Sequence, residues 1–385
     1  MRIRKAVEFA VENSVLMVLG AVIALVWANT SPAGYKTAVE PWRFVVNDIG
    51  MVFFFGLAVK EIIEATAPGG ALHSVRRASV PIIAAVGGMI GPAGLYLIGA
   101  AALDRPELLA GWAIPCATDI AFSYLVARFV FGARHPAVPF LLLLAIADDA
   151  LGLVILAAFY PSGEVRPELC VALLAVSGLM SWSLRRIGTR NFWSYVAGPG
   201  LVSWLGLYVG GLHPALALVP VLPWLPHASH DQGIYVDASE PQRDPLNEFE
   251  RWWQLPVEAI LFAFAVINAG VTVGSTGVGT WIVLLAIVVG KPLGIGLSTA
   301  LATASGLHLP AGLGRRDVFV VGVTAGIGFT VALFFATAAF PAGPALDQAK
   351  LGALLSLSAG GAAVIAGWLL RIGRFARPAM SQRPR

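Results

Sequence analysis

The stretch Val138-Pro-Phe-Leu-Leu-Leu-Leu-Ala-Ile-Ala-Asp148-Asp149-Ala-Leu-Gly-Leu-Val-Ile-Leu-Ala-Ala-Phe159 decides the fold. It is an apolar run long enough to cross a bilayer, which takes about 20 residues. Two adjacent carboxylates sit at its centre. An ionised carboxylate at bilayer depth costs roughly 2.5–3.5 kcal/mol on insertion scales. With Asp119 in the preceding run, three such groups facing lipid would cost on the order of 8–10 kcal/mol. Packing alone gives no return on that cost. The carboxylates therefore read as a cation or proton site that faces water or protein.

The rest of the chain agrees with a membrane protein. Of its 385 residues, 57% are hydrophobic and only 12% charged, with a mean hydropathy of +0.78. Soluble domains carry about 25% charged residues. The net charge of +4 is explained by topology and implies no nucleic-acid partner. No G-x-x-x-x-G-K-[ST] stretch exists, since Gly290-Lys291 continues into Pro292. ATP-driven pumping by this chain is therefore not expected, and transport powered by ion gradients is. The two cysteines, Cys116 and Cys170, and the six histidines show no disulfide or ligand spacing. No cofactor is expected. Met1-Arg-Ile-Arg-Lys5 before an apolar run imitates a signal peptide, but the run reaches Trp27 without a small-residue cleavage site, so a retained first helix is expected.

About twelve apolar segments reach spanning length: 12–29, 46–63, 79–101, 110–130, 137–159, 168–184, 192–209, 211–225, 255–273, 280–304, 317–340 and 350–371. Basic residues collect in alternate loops: Arg2, Arg4 and Lys5, Arg76 and Arg77, Arg134, Arg185, Arg186 and Arg190, Arg315 and Arg316, and Arg371, Arg374 and Arg377. The positive-inside rule then places both termini in the cytoplasm. The connection 226–254 is polar and mildly acidic, on the cytoplasmic side, and reads as a linker or a regulatory loop.

Two spans are poor continuous helices. In Gly111-Trp-Ala-Ile-Pro-Cys-Ala-Thr-Asp-Ile-Ala-Phe122, Pro115 removes a backbone donor, and Thr118 and Asp119 suit a helix cap. In Val323-Thr-Ala-Gly-Ile-Gly-Phe-Thr330, Gly326 and Gly328 loosen the helix, with the hydroxyls of Thr324 and Thr330 beside them. Glycine also packs membrane helices closely without breaking them. Unwound backbone at membrane depth survives only in protein or beside a cavity. Broken helices at matching places in two halves point to a secondary transporter's binding site. Spans three to five and ten to twelve each carry one in the middle, and with both termini inside the two triplets run in opposite senses.

A broken helix exposes positive N-terminal and negative C-terminal ends. Asp119 is placed to compensate N-termini. Lys291, about ten residues from either end of its span, compensates C-termini or pairs with a carboxylate; the alternative is a lysine snorkelling to a membrane face. Neighbours on a helix point about 100° apart. Asp148 and Asp149 therefore cannot face each other; one faces the cavity while the other leans on a partner such as Lys291. Sodium suits carboxylate and carbonyl oxygens, and protons compete for the same oxygens. That competition is an exchange mechanism. Weaker candidates remain. Lys60 and Glu61 read as snorkelling residues at the end of span two. His213 reads as a surface histidine at the start of span eight. Glu258 lies near the start of span nine, where it would line a funnel, and Asn268 is expected to bond across helices.

These motifs resemble those of the NhaA-type sodium/proton antiporters. Gly111–Phe122 is similar to the family's fourth-span signature and Leu144-Ala-Ile-Ala-Asp-Asp149 to its paired aspartates. Asn268-Ala-Gly-Val271, Gly290-Lys-Pro-Leu-Gly-Ile295, Gly326-Ile-Gly-Phe-Thr330 and Ile82–Ile90 match further family motifs, in the family's order, over nearly the whole chain. The resemblance implies an all-α fold of twelve transmembrane helices with inverted-topology repeats and two broken, crossing helices. It implies one transporter domain over 1–385. Within it, 79–159 and 280–371 form the repeat core, and 12–63 with 192–273 a second bundle. It further implies electrogenic expulsion of Na+ or Li+ against uptake of more H+ across the bacterial inner membrane. Asp148 and Asp149 would bind ion and proton, Thr118 and Asp119 would sit at the crossing, and Lys291 would pair with the first aspartate. His213 and Glu250 correspond to positions linked to pH response, Glu250 only across a gap. Ala58 and Ile62 stand where the family carries two glutamates. The loop between the first two spans is too short for the family's dimer-forming hairpin, although a homodimer by another route stays open.

Two other readings exist. An intramembrane aspartyl protease needs two aspartates from separate helices, as Asp119 and Asp148 would supply. The chain lacks a Gly-x-Gly-Asp stretch and holds Lys291 instead. A sodium-coupled organic-anion transporter would use the same fold, but two carboxylates favour cations.

Overall fold

The structure, a computed structural model, describes residues 15–227 and 244–376. Arg2, Arg4, Lys5 and Arg377, and residues 228–243 of the long connection, lie outside the described residues. Among the described residues there is no strand; the elements are helices and helical turns. In order they are α1 (Val15–Thr30), α2 (Pro32–Val39), α3 (Met51–Thr66), α4 (Val75–Ala102), α5 (Ile120–Phe131), α6 (Ala137–Phe159), α7 (Pro167–Ile187), α8 (Phe192–Tyr195) and α9 (Leu201–Val209). After the long connection come α10 (Pro245–Asn268), α11 (Val278–Leu285), α12 (Lys291–Ala304), α13 (Arg315–Ala325), α14 (Phe329–Ala339), α15 (Pro344–Leu355) and α16 (Ser358–Leu370). The link between the first two spans is α2 and a short turn at Glu40–Trp42.

Five of these helices or continuous runs are long and apolar enough to cross a membrane, and two bent pairs raise the figure to seven. The bent pairs are the two spans expected to break. Pro106–Cys116 meets α5 at 54°, and α13 meets α14 at 52°.

Two boundaries differ from the sequence reading. The eighth segment, 211–225, is not a helix. It holds short turns at Pro214–Leu216 and Leu222–Trp224, because Pro214, Pro220 and Pro223 deny it consecutive backbone donors. Its apolar residues are nevertheless buried in protein. The ninth helix starts at Pro245, about ten residues before the expected limit. Asp244 caps it by accepting from the Asn247 N–H at 2.9 Å, with proline at the first helical position. The linker is shorter than 226–254 by the same amount.

Among the described residues, three five- or six-residue stretches are wound as π-helix: Val45–Gly50 before α3, Val196–Gly200 before α9 and Ala286–Gly290 before α12. The last shifts the register of the helix immediately before Lys291. Pro292 lacks the donor that would continue a regular ladder there.

The seam between α4 and α12 is built of glycine. A Cβ on Gly294 would lie 2.0 Å from the Gly87 carbonyl oxygen, and one on Gly91 would lie 2.3 Å from that of Gly290. Gly87-x-x-x-Gly91 and Gly290-x-x-x-Gly294 thus bring two backbones into direct contact, the small-residue packing typical of membrane helices. This contact carries Lys291 into the middle of the protein.

Candidate functional site: a charged crossing of two broken helices

The two breaks touch. Residues 117–119 are extended, and the Asp119 N–H donates to the Ile327 carbonyl at 2.6 Å. Gly328 suits this approach: a Cβ there would stand a tight 3.0 Å from the Ala117 carbonyl oxygen. Its φ of −97° is open to any residue, so the constraint is space. Gly326, at φ −67°, likewise serves without a left-handed backbone.

Four half-helix ends meet here, and each finds a partner of suitable sign. Asp119 caps α5, accepting from the Phe122 N–H at 3.3 Å. The same carboxylate accepts from the Thr330 N–H at 3.3 Å and from the Thr330 hydroxyl, so it serves the positive end of α14 as well. At the negative ends, the Cys116 carbonyl accepts from the Lys291 ammonium. The Ala325 carbonyl accepts from the Thr118 hydroxyl at 3.1 Å, and the Thr324 carbonyl from the Ser123 hydroxyl at 3.0 Å. Asp119 therefore compensates N-termini, and Lys291 both compensates a C-terminus and pairs with a carboxylate.

That carboxylate is Asp148. Its Oδ2 accepts from Lys291 Nζ at 3.0 Å and from Thr118 Oγ1 at 2.7 Å. Lys291 is fully buried, which removes the snorkelling alternative. Asp148 Oδ1 is buried without a hydrogen-bond partner. Asp149, one residue on, is only half-buried and makes no ion pair with Lys291. It lines a cavity of about 160 Å³ together with Asp119, Thr118, Thr330, Glu61 and Glu258. Asp148 and Asp149 also share a second cavity of about 20 Å³, walled by Phe54, Phe55, Leu156 and Phe335. The first is roomy and carries several carboxylates in a largely apolar wall; the second holds about one water-sized occupant.

Other expected residues fall elsewhere. Glu258 does line the larger cavity, but it sits about 20 Å along α10, because that helix starts early. Glu250 is one turn into the same helix and is paired with Lys60. Lys60 is not snorkelling: it is buried and also binds Glu64 at 2.5 Å. His213 is not a surface residue. Its ring packs on Phe334 with centroids 4.7 Å apart, and Nδ1 accepts from the Ala215 N–H at 3.4 Å. The proline-rich turn that follows folds it inward. Thr324 turns back on its own helix, donating to the Val320 carbonyl at 2.8 Å. Asn268 bonds across to Asn47, at 2.8 Å and 3.3 Å in the two directions.

Three contributors were not foreseen. Ser123 holds a negative helix end, Glu64 completes the Lys60 cluster, and Ser356 accepts from the Gly328 and Phe329 N–H groups, each at 3.2 Å.

Residues 4–370 match the family described as Na+/H+ antiporter 1. The chain is 44% identical over 379 residues to the Na(+)/H(+) antiporter NhaA of Geobacter sulfurreducens, covering 96% of this chain and 99% of that one. It is 44% identical over 379 residues to the protein of the same name from Desulfitobacterium hafniense, covering 96% and 97%. A third such protein, from a Jannaschia species, is 42% identical over 414 residues, covering 95% and 98%. With matches of this extent, the chain belongs to the Na+/H+ antiporter 1 family of multi-pass membrane proteins.

Proposed function

We propose that this chain exchanges cytoplasmic Na+ or Li+ for external H+ across the bacterial inner membrane, with Asp148 and Asp149 as the shared ion and proton site. One observation carries the reading: Asp149 opens to the larger cavity while its neighbour is held by Lys291 and Thr118. A dehydrating monovalent cation meets hard oxygen ligands there, namely two carboxylates and the Thr118 hydroxyl. Protons bind the same carboxylates, so either occupant displaces the other. One cation leaving both carboxylates ionised exchanges for two protons when both refill. Each such cycle moves one net charge inward, worth about 2.3 kcal/mol per 100 mV of membrane potential.

The role of the protein frame belongs to the same reading. Residues 79–159 and 280–371 form the core that carries the crossing, and 12–63 with 192–273 the bundle against which it moves. In this reading both termini face the cytoplasm, and the larger cavity, whose lining includes Glu61, Glu258 and Gln254, is the one assigned to that side. The smaller cavity, walled by aromatic and aliphatic side chains, is the closed side.

Everted vesicles test this. Asp149→Asn abolishes Na+-dependent proton flux, and in the unchanged protein the apparent KM for Na+ rises as the pH falls, the signature of competition for one site. Full flux in the asparagine variant overturns the site assignment.

A further inference from the structure

Span twelve is interrupted where it touches the second broken helix. α15 ends at Leu355 and α16 starts at Ser358, so Ser356 and Leu357 form a turn. Ser356 is completely buried. Its hydroxyl donates to the Ala353 carbonyl at 2.6 Å and accepts from the Gly328 and Phe329 N–H groups, each at 3.2 Å. A hydroxyl has one proton and two acceptor lone pairs, and all three are in use. The next N–H of α14, that of Thr330, goes to Asp119.

The positive end of α14 is thus divided between an uncharged acceptor from span twelve and a charged one from the opposite break. We propose that Ser356 is a positioning residue for the ion site, fixing how far α14 leans on Asp119. Without its hydroxyl, two buried N–H groups lose their acceptor, and the carboxylate that already caps the same helix end, at the Thr330 N–H, is that of Asp119. Asp119 follows Thr118 directly in the chain, and Thr118 donates to Asp148. A shift of α14 toward Asp119 therefore reaches the oxygens that hold the cation. The inference rests on the reading of Asp148 and Asp149 as the ion site and adds to it a control point on a span that contributes no charge to it.

The test uses the full chain in proteoliposomes, with Na+-induced proton release measured over a range of Na+ concentrations. Ser356→Ala raises the apparent KM for Na+ about tenfold, the equivalent of roughly one net hydrogen bond, with the maximal rate within about twofold. Ser356→Thr, which keeps the hydroxyl, restores the original KM. A purely structural role would lower the rate in proportion to folded protein and leave KM alone. An unchanged KM in the alanine variant, or a threonine variant as defective as alanine, overturns the proposal. Should Ser356→Ala fail to fold, Ser356→Cys carries the same test with a rise of about threefold expected, because sulfur is a weaker acceptor; no rise overturns the proposal. Asp149→Asn is run beside these variants. Flux in that protein would overturn the site reading itself, whereas its silence together with an unmoved KM in the alanine variant would overturn only the role of Ser356.

Discussion

At the scale of the residue, the pair Lys291 and Asp148 does most to define the centre. Both are buried to within a few per cent of full burial, 0% and 3% exposed. Removing one member of such a pair leaves an uncompensated charge and typically costs 3–5 kcal/mol, roughly, whereas the pair as a whole is close to neutral against an apolar replacement. Lys291→Ala is therefore expected to lower thermal stability in detergent markedly, and Lys291→Ala combined with Asp148→Ala to recover part of the loss. A double variant less stable than the single one would contradict this account. The charged members of the crossing were legible in the sequence because ionisable groups in apolar runs are costly and demand a partner. Ser123 and Ser356 were not. A serine in a membrane helix commonly bonds its own preceding turn, as Ser181 and Ser183 do here at 2.9 Å and 2.8 Å. Nothing in the sequence separates that habit from a hydroxyl that caps a distant helix. The contribution of Cys116 is its carbonyl, which no side chain announces.

At the scale of the element, the breaks were readable and the windings were not. Pro115 with Thr118 and Asp119, and Gly326 with Gly328, interrupt their helices by local chemistry. The π-wound stretch Ala286-Ile-Val-Val-Gly290 looks like ordinary helix in sequence. Pro292 marks where the regular ladder fails, but nothing in the run itself announces the wider winding or the contact of Gly290 and Gly294 with α4. That contact yields a prediction. Gly294→Ala puts a methyl group 2.0 Å from the Gly87 carbonyl, so the backbones must part and Lys291, three residues earlier, must move with them. Gly296→Ala, on the same helix, meets nothing within 4 Å. The first substitution is expected to abolish transport and lower the melting temperature. The second is expected to leave transport intact and stabilise the helix by up to about 1 kcal/mol. Purified variants compared by thermal unfolding and flux distinguish the two, and equal behaviour would refute the seam. The eighth segment has the hydropathy of a span without its helix, because hydropathy reports burial in an apolar medium and is silent on how the backbone is paired.

At the scale of the molecule, the two cavities on either side of Asp149 differ about eightfold in volume, 160 Å³ against 20 Å³. Such asymmetry is expected of a carrier resting open to one side. We predict its direction with cysteine substitutions in a background where Cys116 and Cys170 are replaced. Gln254→Cys, on the larger cavity, reacts with a membrane-impermeant thiol reagent supplied from the cytoplasmic side and not from outside. Leu156→Cys, on the smaller cavity and 1% exposed in the parent, resists the reagent from both sides. Labelling of Gln254→Cys from outside would reverse the orientation. A last consequence concerns how the chain is made. The turns of Pro214–Leu216 and Leu222–Trp224 bury their side chains between neighbours yet lack a continuous ladder of their own. A nascent segment of that kind has no solvated and no lipid-facing state of low energy. The helices that receive it, α3 and α9, lie earlier in the chain and are already made when it emerges, so its shelter is ready at the moment of synthesis.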